Sequence, residues 1–268
     1  MKQRIASLLS EQGIDCFGFL PLDACAITKP YLLEKENITS GSVAIFAVPY
    51  YTHACDQSKN LSAYAVAKDY HLFFQELFQT LLGTLSLEFP DHQFAAFSDH
   101  SPIDERLAAA MAGLGIIGKN HLLITKKYAS YVFLGEIVTD AELGSEPTAV
   151  SHCTACGACL EACPFLRGER TQCLSALTQK KGSLTEDERA LIAQHDSVWG
   201  CDICQEVCPY TKNAKKSGTI YSPISYFEED VIPNITSSTL LDMDKDAFAL
   251  RAYSWRGKEV ILRNLTLG

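Results

Sequence analysis

Eight of the chain's eleven cysteines fall between Cys153 and Cys208, and their spacing restricts the fold more than any other feature. The first run is Cys153-x2-Cys156-x2-Cys159-x3-Cys163-Pro164, and the second is Cys201-x2-Cys204-x3-Cys208-Pro209. Three thiolates at two-residue spacing can wrap one face of an iron–sulfur cubane, while the fourth points away and the proline turns the chain. Two cubanes need eight thiolates. The two runs supply seven, and Cys173 is the remaining cysteine of the region. In the crossed pattern of two-cluster ferredoxins, one 4Fe–4S cluster takes Cys153, Cys156, Cys159 and Cys208. The other takes Cys163, Cys173, Cys201 and Cys204. Structural zinc sites also use Cys-x2-Cys, but rarely three cysteines at successive two-residue spacing followed by Cys-Pro.

The N-terminus has too short an apolar run for a secretory signal, and no stretch approaches the ~18–20 apolar residues of a membrane span. A cytoplasmic address is the expectation. Thiols stay reduced there, so clustered cysteines read as metal ligands and not as disulfides. With a net charge of −9 over 268 residues, a broad basic nucleic-acid surface is not the default reading. Paired basic residues still offer local phosphate contacts: Lys126, Lys127, Lys180, Lys181, Lys212, Lys215, Lys216, Arg251, Arg256 and Lys258.

The patterning predicts an α+β chain. Residues 3–12 read as a helix, 17–22 and 42–51 as strands, and 64–82 as a long amphipathic helix ended by Gly83. A strand at 94–97 runs into a helix from 103, and a further strand covers 131–139. This mixed α/β domain is expected to span 1–145. A ferredoxin-like two-cluster domain follows at 146–215. A linker and short helices close the chain at 216–268, the last of them capped by Ser254. Gly113-x-Gly115-x-x-Gly118 has the letters of a dinucleotide fingerprint. It follows a helix and not a strand, so a helix-ending glycine turn is the better reading.

With these segments in place, a resemblance emerges. Tyr64-Ala65, Lys68-Asp69-Tyr70-His71, Asp99-His100-Ser101-Pro102-Ile103-Asp104-Glu105-Arg106 and Ala112-Gly113-Leu114-Gly115-Ile116-Ile117-Gly118-Lys119-Asn120 occur in that order. Phe133-Leu134-Gly135-Glu136, the cysteine runs and Arg263-Asn264 follow. Together they resemble the epoxyqueuosine reductase family over residues 15–265. The resemblance implies reduction of a tRNA-borne epoxide to queuosine by cobalamin and two 4Fe–4S clusters, in an oxidoreductase related to reductive dehalogenases. It implies cobalamin held between the N-terminal and ferredoxin-like regions, with electrons from an external low-potential donor. Reduced cobalt would attack or reduce the epoxide, Asp99 would give the proton, and a tRNA anticodon stem-loop would be the partner of a monomer. Asp99, His71, Asn120, Ser175 and Asp202 are the implied cofactor contacts.

Read without the resemblance, Asp99 is better placed as a cap for the helix beginning near Pro102, and His71 as a surface or structural histidine. An ordinary aspartate is ionised at neutral pH, so an acid role needs burial to raise its pKa. Family members often continue into a helical-repeat domain, so the resemblance implies a short form, and Ala67 and Ala176 replace the family's usual Gly and Tyr. A paralogous reductase of another substrate, or a ferredoxin-like electron carrier, are the competing functions.

Overall fold

Every position of Ser42–Pro49 is buried, as the unbroken apolar run Val43-Ala44-Ile45-Phe46-Ala47-Val48 requires of a strand covered on both faces. This strand, β2, lies inside an antiparallel sheet in the computed structural model, which describes residues 1–165 and 173–267. The order is β1 (Cys16–Pro21), β2, β6 (Val132–Thr139), β3 (Phe94–Phe97). Helices α1 (Lys2–Glu11), α2 (Pro30–Lys35), α3 (Tyr70–Glu88) and α4 (Glu105–Met111) accompany it. A hairpin of β4 (Gly115–Ile117) and β5 (Leu123–Thr125) follows α4.

Alternation assigns the two faces of the sheet. Phe46 and Gly135 face α3, where Phe74 stacks on Phe46 at 6.4 Å between ring centroids. A Cβ at Gly135 would lie 2.6 Å from the Phe74 ring, so that position must be glycine for α3 to seat. Val43, Ile45, Ala47, Ala95 and Val138 face the other way and pack with Ile103, Ala108, Ala109 and Ala110.

Helix α4 ends in a Schellman turn. The Gly113 N–H donates to Ala110 O and Leu114 N–H to Ala109 O, with Gly113 at φ +82°. The glycine motif is therefore helix-ending punctuation, as its context indicates. Gly83, by contrast, lies inside α3, which continues to Glu88 because Leu85 is fully buried. The helix also starts later than its apolar spacing suggests, where Asp69 Oδ1 accepts the His71 N–H at 3.0 Å.

The packing groups the chain into two units and not into three consecutive segments. Met1–Pro49 joins Phe73–Ala155, and Tyr50–Leu72 joins Cys156–Gly268. The second unit holds α5 (Ala158–Glu161), α6 (Leu174–Thr178), α7 (Glu186–His195), α8 (Ile203–Glu206) and α9 (Pro209–Ser217). Helices α10 (Ser237–Asp242), α11 (Lys245–Ala249) and α12 (Lys258–Leu265) complete it.

Residues 50–72 join it for a physical reason. Leu61 and Ala65 pack with Trp199, Tyr253 and Ile261, while Ser62 N–H donates to Trp199 O and Val198 N–H to Asn60 O, both at 2.8 Å. Ser254 does not cap the last helix. It opens a 3-10 turn, and Gly257 at φ +86° precedes α12. No described helix is long and apolar enough to cross a membrane.

Candidate functional site

The loop between β3 and α4 carries Asp99. Ser98 Oγ donates to Leu134 O at 2.8 Å, His100 N–H returns to Ser98 O at 2.6 Å, and Asp99 between them adopts φ +64°. That left-handed conformation is uncommon outside glycine and concentrates at functional turns. The helix cap is not Asp99. Asp104 takes that position, its Oδ1 accepting the Leu107 N–H at 3.2 Å. Asp99 is exposed, so the burial that an acid role requires has to come from a ligand. Its N–H donates to Glu105 Oε1 at 3.2 Å. The neighbouring His100 ring lies 3.1 Å from Lys29 Nζ and 2.9 Å from the Tyr31 hydroxyl. With the ammonium as donor, His100 Nδ1 accepts and Nε2 carries the proton.

Beneath this loop lies a second carboxyl group. Glu136 sits on β6 opposite Ile45 of β2 and Phe97 of β3, on the apolar face that packs against α4, and it is 0% exposed. Among the described residues, no donor reaches either of its oxygens in full hydrogen-bond geometry. Ser101 lies close enough to favour its charge, yet its hydroxyl donates to Ile103 O. The carboxyl of Glu105 meets Glu136 as well. Burial raises Glu136 well above the usual carboxylate range, and the charge of Glu105 adds to the shift. Burial likewise pushes Glu105 up to about 7; the Asp99 N–H opposes this and the Asp99 charge reinforces it. The sequence held a signal for this pair: Glu136 alternates with Leu134 and Val138 on one strand face, where an apolar residue belongs.

The other implied contacts scatter. His71 is exposed, with Nδ1 2.7 Å from Asp69 Oδ1 and its ring stacked on Tyr70. Asn120 is half-buried in the turn after β4, its Oδ1 3.4 Å from the Leu122 N–H. Ser175 Oγ accepts from Gln179 at 3.2 Å. Asp202 is turned inward. It accepts from Ser62 Oγ at 2.5 Å, Ala63 N–H at 2.7 Å and Gln205 Nε2 at 3.3 Å, with Lys59 Nζ at 3.6 Å. Its carboxylate braces the segment 59–63 inside the second unit.

Of the basic candidates, Arg251 is 3% exposed and donates to Asp230 O and Val66 O, so it is an internal strut. Lys127 pairs with Asp15, Lys180 with Glu188 and Lys215 with Asp56. Lys258 donates to Met243 O.

All eight clustered cysteines are free thiols. The two runs repeat one local form: a short helix carries Cys159 (α5) or Cys204 (α8), and a Cys-Pro step follows. Helices α5 and α8 pack together. Cys208 precedes α9 with Pro209 in its first turn. Ala155 and Gly157 adopt φ +54° and +85° within the first run, and Gly200 +74° just before the second. Such left-handed steps turn successive N–H groups inward, the backbone concavity found at anionic iron–sulfur sites. Cys201 lies close enough to Cys204 and Cys173 to feel their charge, and burial first of all pushes its thiol up to about 12. These residues fit a cluster in which thiolate–iron bonds replace the protons. Among the described residues, no three His, Cys, Asp or Glu side chains close on one point as ligands of a single ion.

Comparison with known proteins then decides the family. A Lactococcus garvieae protein named epoxyqueuosine reductase is 34% identical over 99% of this chain and 85% of its own length. The chain belongs to the epoxyqueuosine reductase family. A Pseudomonas aeruginosa epoxyqueuosine reductase is 38% identical over 62% of this chain, a match spanning about half (47%) of that relative's length. Residues 152–211 match the family of 4Fe–4S double cluster binding domains, so this epoxyqueuosine reductase relative carries two iron–sulfur clusters. A crystal structure of an epoxyqueuosine reductase with an epoxyqueuosine-modified tRNA stem loop superposes with a TM-score of 0.78 at 25% identity. It covers 99% of this chain and 80% of that one.

Proposed function

We propose that this chain reduces epoxyqueuosine to queuosine in tRNA, with Asp99 as the proton donor. Family membership over 99% of the chain supports the substrate. The observation that carries the acid role is the Asp99 loop: an exposed carboxylate in a left-handed turn, relieved of helix capping by Asp104. Removing the epoxide oxygen as water consumes two electrons and two protons and leaves a carbon–carbon double bond. The clusters carry the electrons from an external low-potential donor, and cobalamin, when bound, delivers them to the epoxide. Crossed ligation assigns Cys153, Cys156, Cys159 and Cys208 to one cluster and Cys163, Cys173, Cys201 and Cys204 to the other; the proximity of Cys173, Cys201 and Cys204 supports the second set.

Asp99, Asn120, His71 and Ser175 keep polar atoms toward the surface of their own units and would hold cobalamin or substrate. Asp202, turned inward, would hold the segment 59–63 in place within the second unit. Burial of Asp99 by a bound ligand would remove its solvent and favour the protonated form from which it would donate. Lys126, Lys181, Lys212 and Lys216 remain as phosphate contacts for the tRNA. The work of a tRNA-modifying monomer is placed in the cytoplasm.

The test is anaerobic reconstitution with iron, sulfide and cobalamin, followed by spectroscopy and an assay on epoxyqueuosine-containing tRNA. Two clusters per chain, one in Cys173→Ala, and turnover in the parent are the expected results. Asp99→Asn should keep clusters and cobalamin and lose turnover by about 10²–10⁴-fold. Full turnover in that variant would remove the acid assignment. Cobalamin binding without turnover points to another substrate; no cobalamin binding points to an electron carrier.

A further inference from the structure

Glu136 is an expensive residue for its position. It occupies a strand site paired with Ile45 and Phe97, on the same face as Val138, and it is fully buried with no donor in hydrogen-bond geometry among the described residues. An unpaired carboxylate in such surroundings is strongly disfavoured, and replacement by an apolar side chain would relieve the cost. Its polar neighbour, Glu105, is also an acceptor when ionised. Two carboxyl groups can meet favourably in an apolar pocket only with a proton between them. Glu105 in turn accepts the backbone N–H of Asp99 at 3.2 Å. The two glutamate carboxyls thus connect the sheet interior to the backbone of the exposed Asp99 loop.

We propose that Glu105 and Glu136 hold one proton between them and act as the positioning pair for Asp99. Glu136 donates to Glu105, and Glu105, fixed by that contact, holds the Asp99 N–H and keeps the loop in the left-handed conformation that presents its side chain. The inference rests on the reading of Asp99 as the proton donor and adds the device that sets it.

The charged and titratable groups around the pair are few. Lys29, ahead of α2, lowers both carboxyls electrostatically. Cys25 feels the charge of Glu136 and is pushed up to about 11, chiefly by burial. His100 is engaged by Lys29 and Tyr31. Asp104 and Arg106, at the start of α4, lie 3.7 Å from each other. Strands β2 and β3 present Ile45 and Phe97 to Glu136 and no charge.

The sign of the pH effect follows from these surroundings. Burial of the pair raises the affinity of Glu105 for a proton; the Asp99 N–H opposes this more than the Asp99 charge adds to it. The proton-sharing contact is therefore favoured at low pH and lost as pH rises through about 7. Full ionisation sets Glu105 against Glu136 and frees Glu105 from the position in which it holds the Asp99 N–H.

The first test is an infrared pH titration of the reconstituted full chain with ¹³C-labelled glutamate, without substrate. A protonated glutamate carbonyl band should persist at pH 7 and disappear in Glu136→Gln. Complete ionisation of every glutamate at pH 7 would overturn the proposal. The second test is kinetic. Glu136→Leu should lower kcat at least tenfold with KM unchanged and no loss of thermal stability, and should move the alkaline limb of the kcat profile. Glu136→Gln, neutral and of the same shape, should recover most of that kcat. Parent kcat and an unmoved limb in Glu136→Leu would overturn the proposal; should that variant fail to fold, the limb of Glu136→Gln decides. The infrared band needs no substrate, so it is judged apart from the assay: its absence refutes the pair and leaves Asp99 standing, while turnover in Asp99→Asn refutes the acid and leaves the band.

Discussion

Asp202 in the second unit and Glu136 in the first are 6% and 0% exposed, yet their surroundings are opposite. Asp202 is met by a hydroxyl, a backbone N–H, an amide and, at 3.6 Å, an ammonium. Burial still raises its pKa, but Ser62, Lys59 and the Ala63 N–H oppose the shift. Glu136 has the Glu105 carboxyl beside it, with the Ser101 hydroxyl and the Lys29 charge as weaker compensation, and among the described residues no donor meets it in full hydrogen-bond geometry. A buried acid supplied with donors serves the fold, because its charge is what those donors are arranged around. A buried acid without donors does not stabilise the fold by its charge, and its retention calls for another role.

The sharpest way to break this contrast is to make the same chemical change at both sites. Asp202→Asn should cost about 3 kcal/mol, because Lys59 loses its buried partner and the Ala63 N–H faces a group half of which is donor. Glu136→Gln should stay within about 1 kcal/mol of the parent, since it replaces an acid already neutral. Urea midpoints with an unchanged slope report both. Equal losses would show that the two carboxylates do the same job.

A smaller effect lies in the pH dependence of stability. Glu105 is raised to about 7 and Glu136 well above the usual carboxylate range, so the folded chain keeps protons that the unfolded chain has released. Their contribution is complete below the ordinary carboxylate range and is lost as pH climbs through 7. The decline is at most about 1.4 kcal/mol per pH unit for each extra proton. Subtracting the curve of Glu136→Leu from that of the parent isolates the pair from Asp202. A difference curve that is flat from pH 5 to 8 would contradict the shared proton.

How far each site could be read in advance follows from the range of the forces involved. The two-cluster domain is legible because the spacing of its cysteines is fixed by covalent reach along the chain. The Gly113 turn is legible for the same reason, its hydrogen bonds spanning five residues. Long-range packing is not written locally. Gly83 reads as a helix end, but Leu85 has a core to enter and carries α3 past it. Arg251 reads as a surface charge, though two carbonyls distant in sequence draw it inside. Arg263 and Asn264 enter the sequence argument only as part of a resemblance. In the structure they fasten α12 to the α6–α7 region: Arg263 donates to Lys180 O and Gly182 O, and Asn264 to Thr178 O and Val198 O. Asp99 is visible as a residue, but that it does not cap α4 is decided by Asp104, five positions on.

That last distinction gives the smallest effect and a clean separation. Asp104 accepts one N–H at the first turn of α4, and loss of such a cap costs about 1 kcal/mol. Asp104→Ala should therefore lower the urea midpoint slightly, while Asp99→Asn should leave it in place, having no cap to lose. The two aspartates then exchange order when turnover is the readout, because only one of them presents its carboxyl from the left-handed turn. If Asp99→Asn destabilised the fold as much as Asp104→Ala, the loop would be a structural element whose φ of +64° serves the chain reversal alone. If Asp104→Ala abolished turnover at unchanged stability, proton delivery would have to be sought at the helix start, beside Glu105 and not at the loop tip.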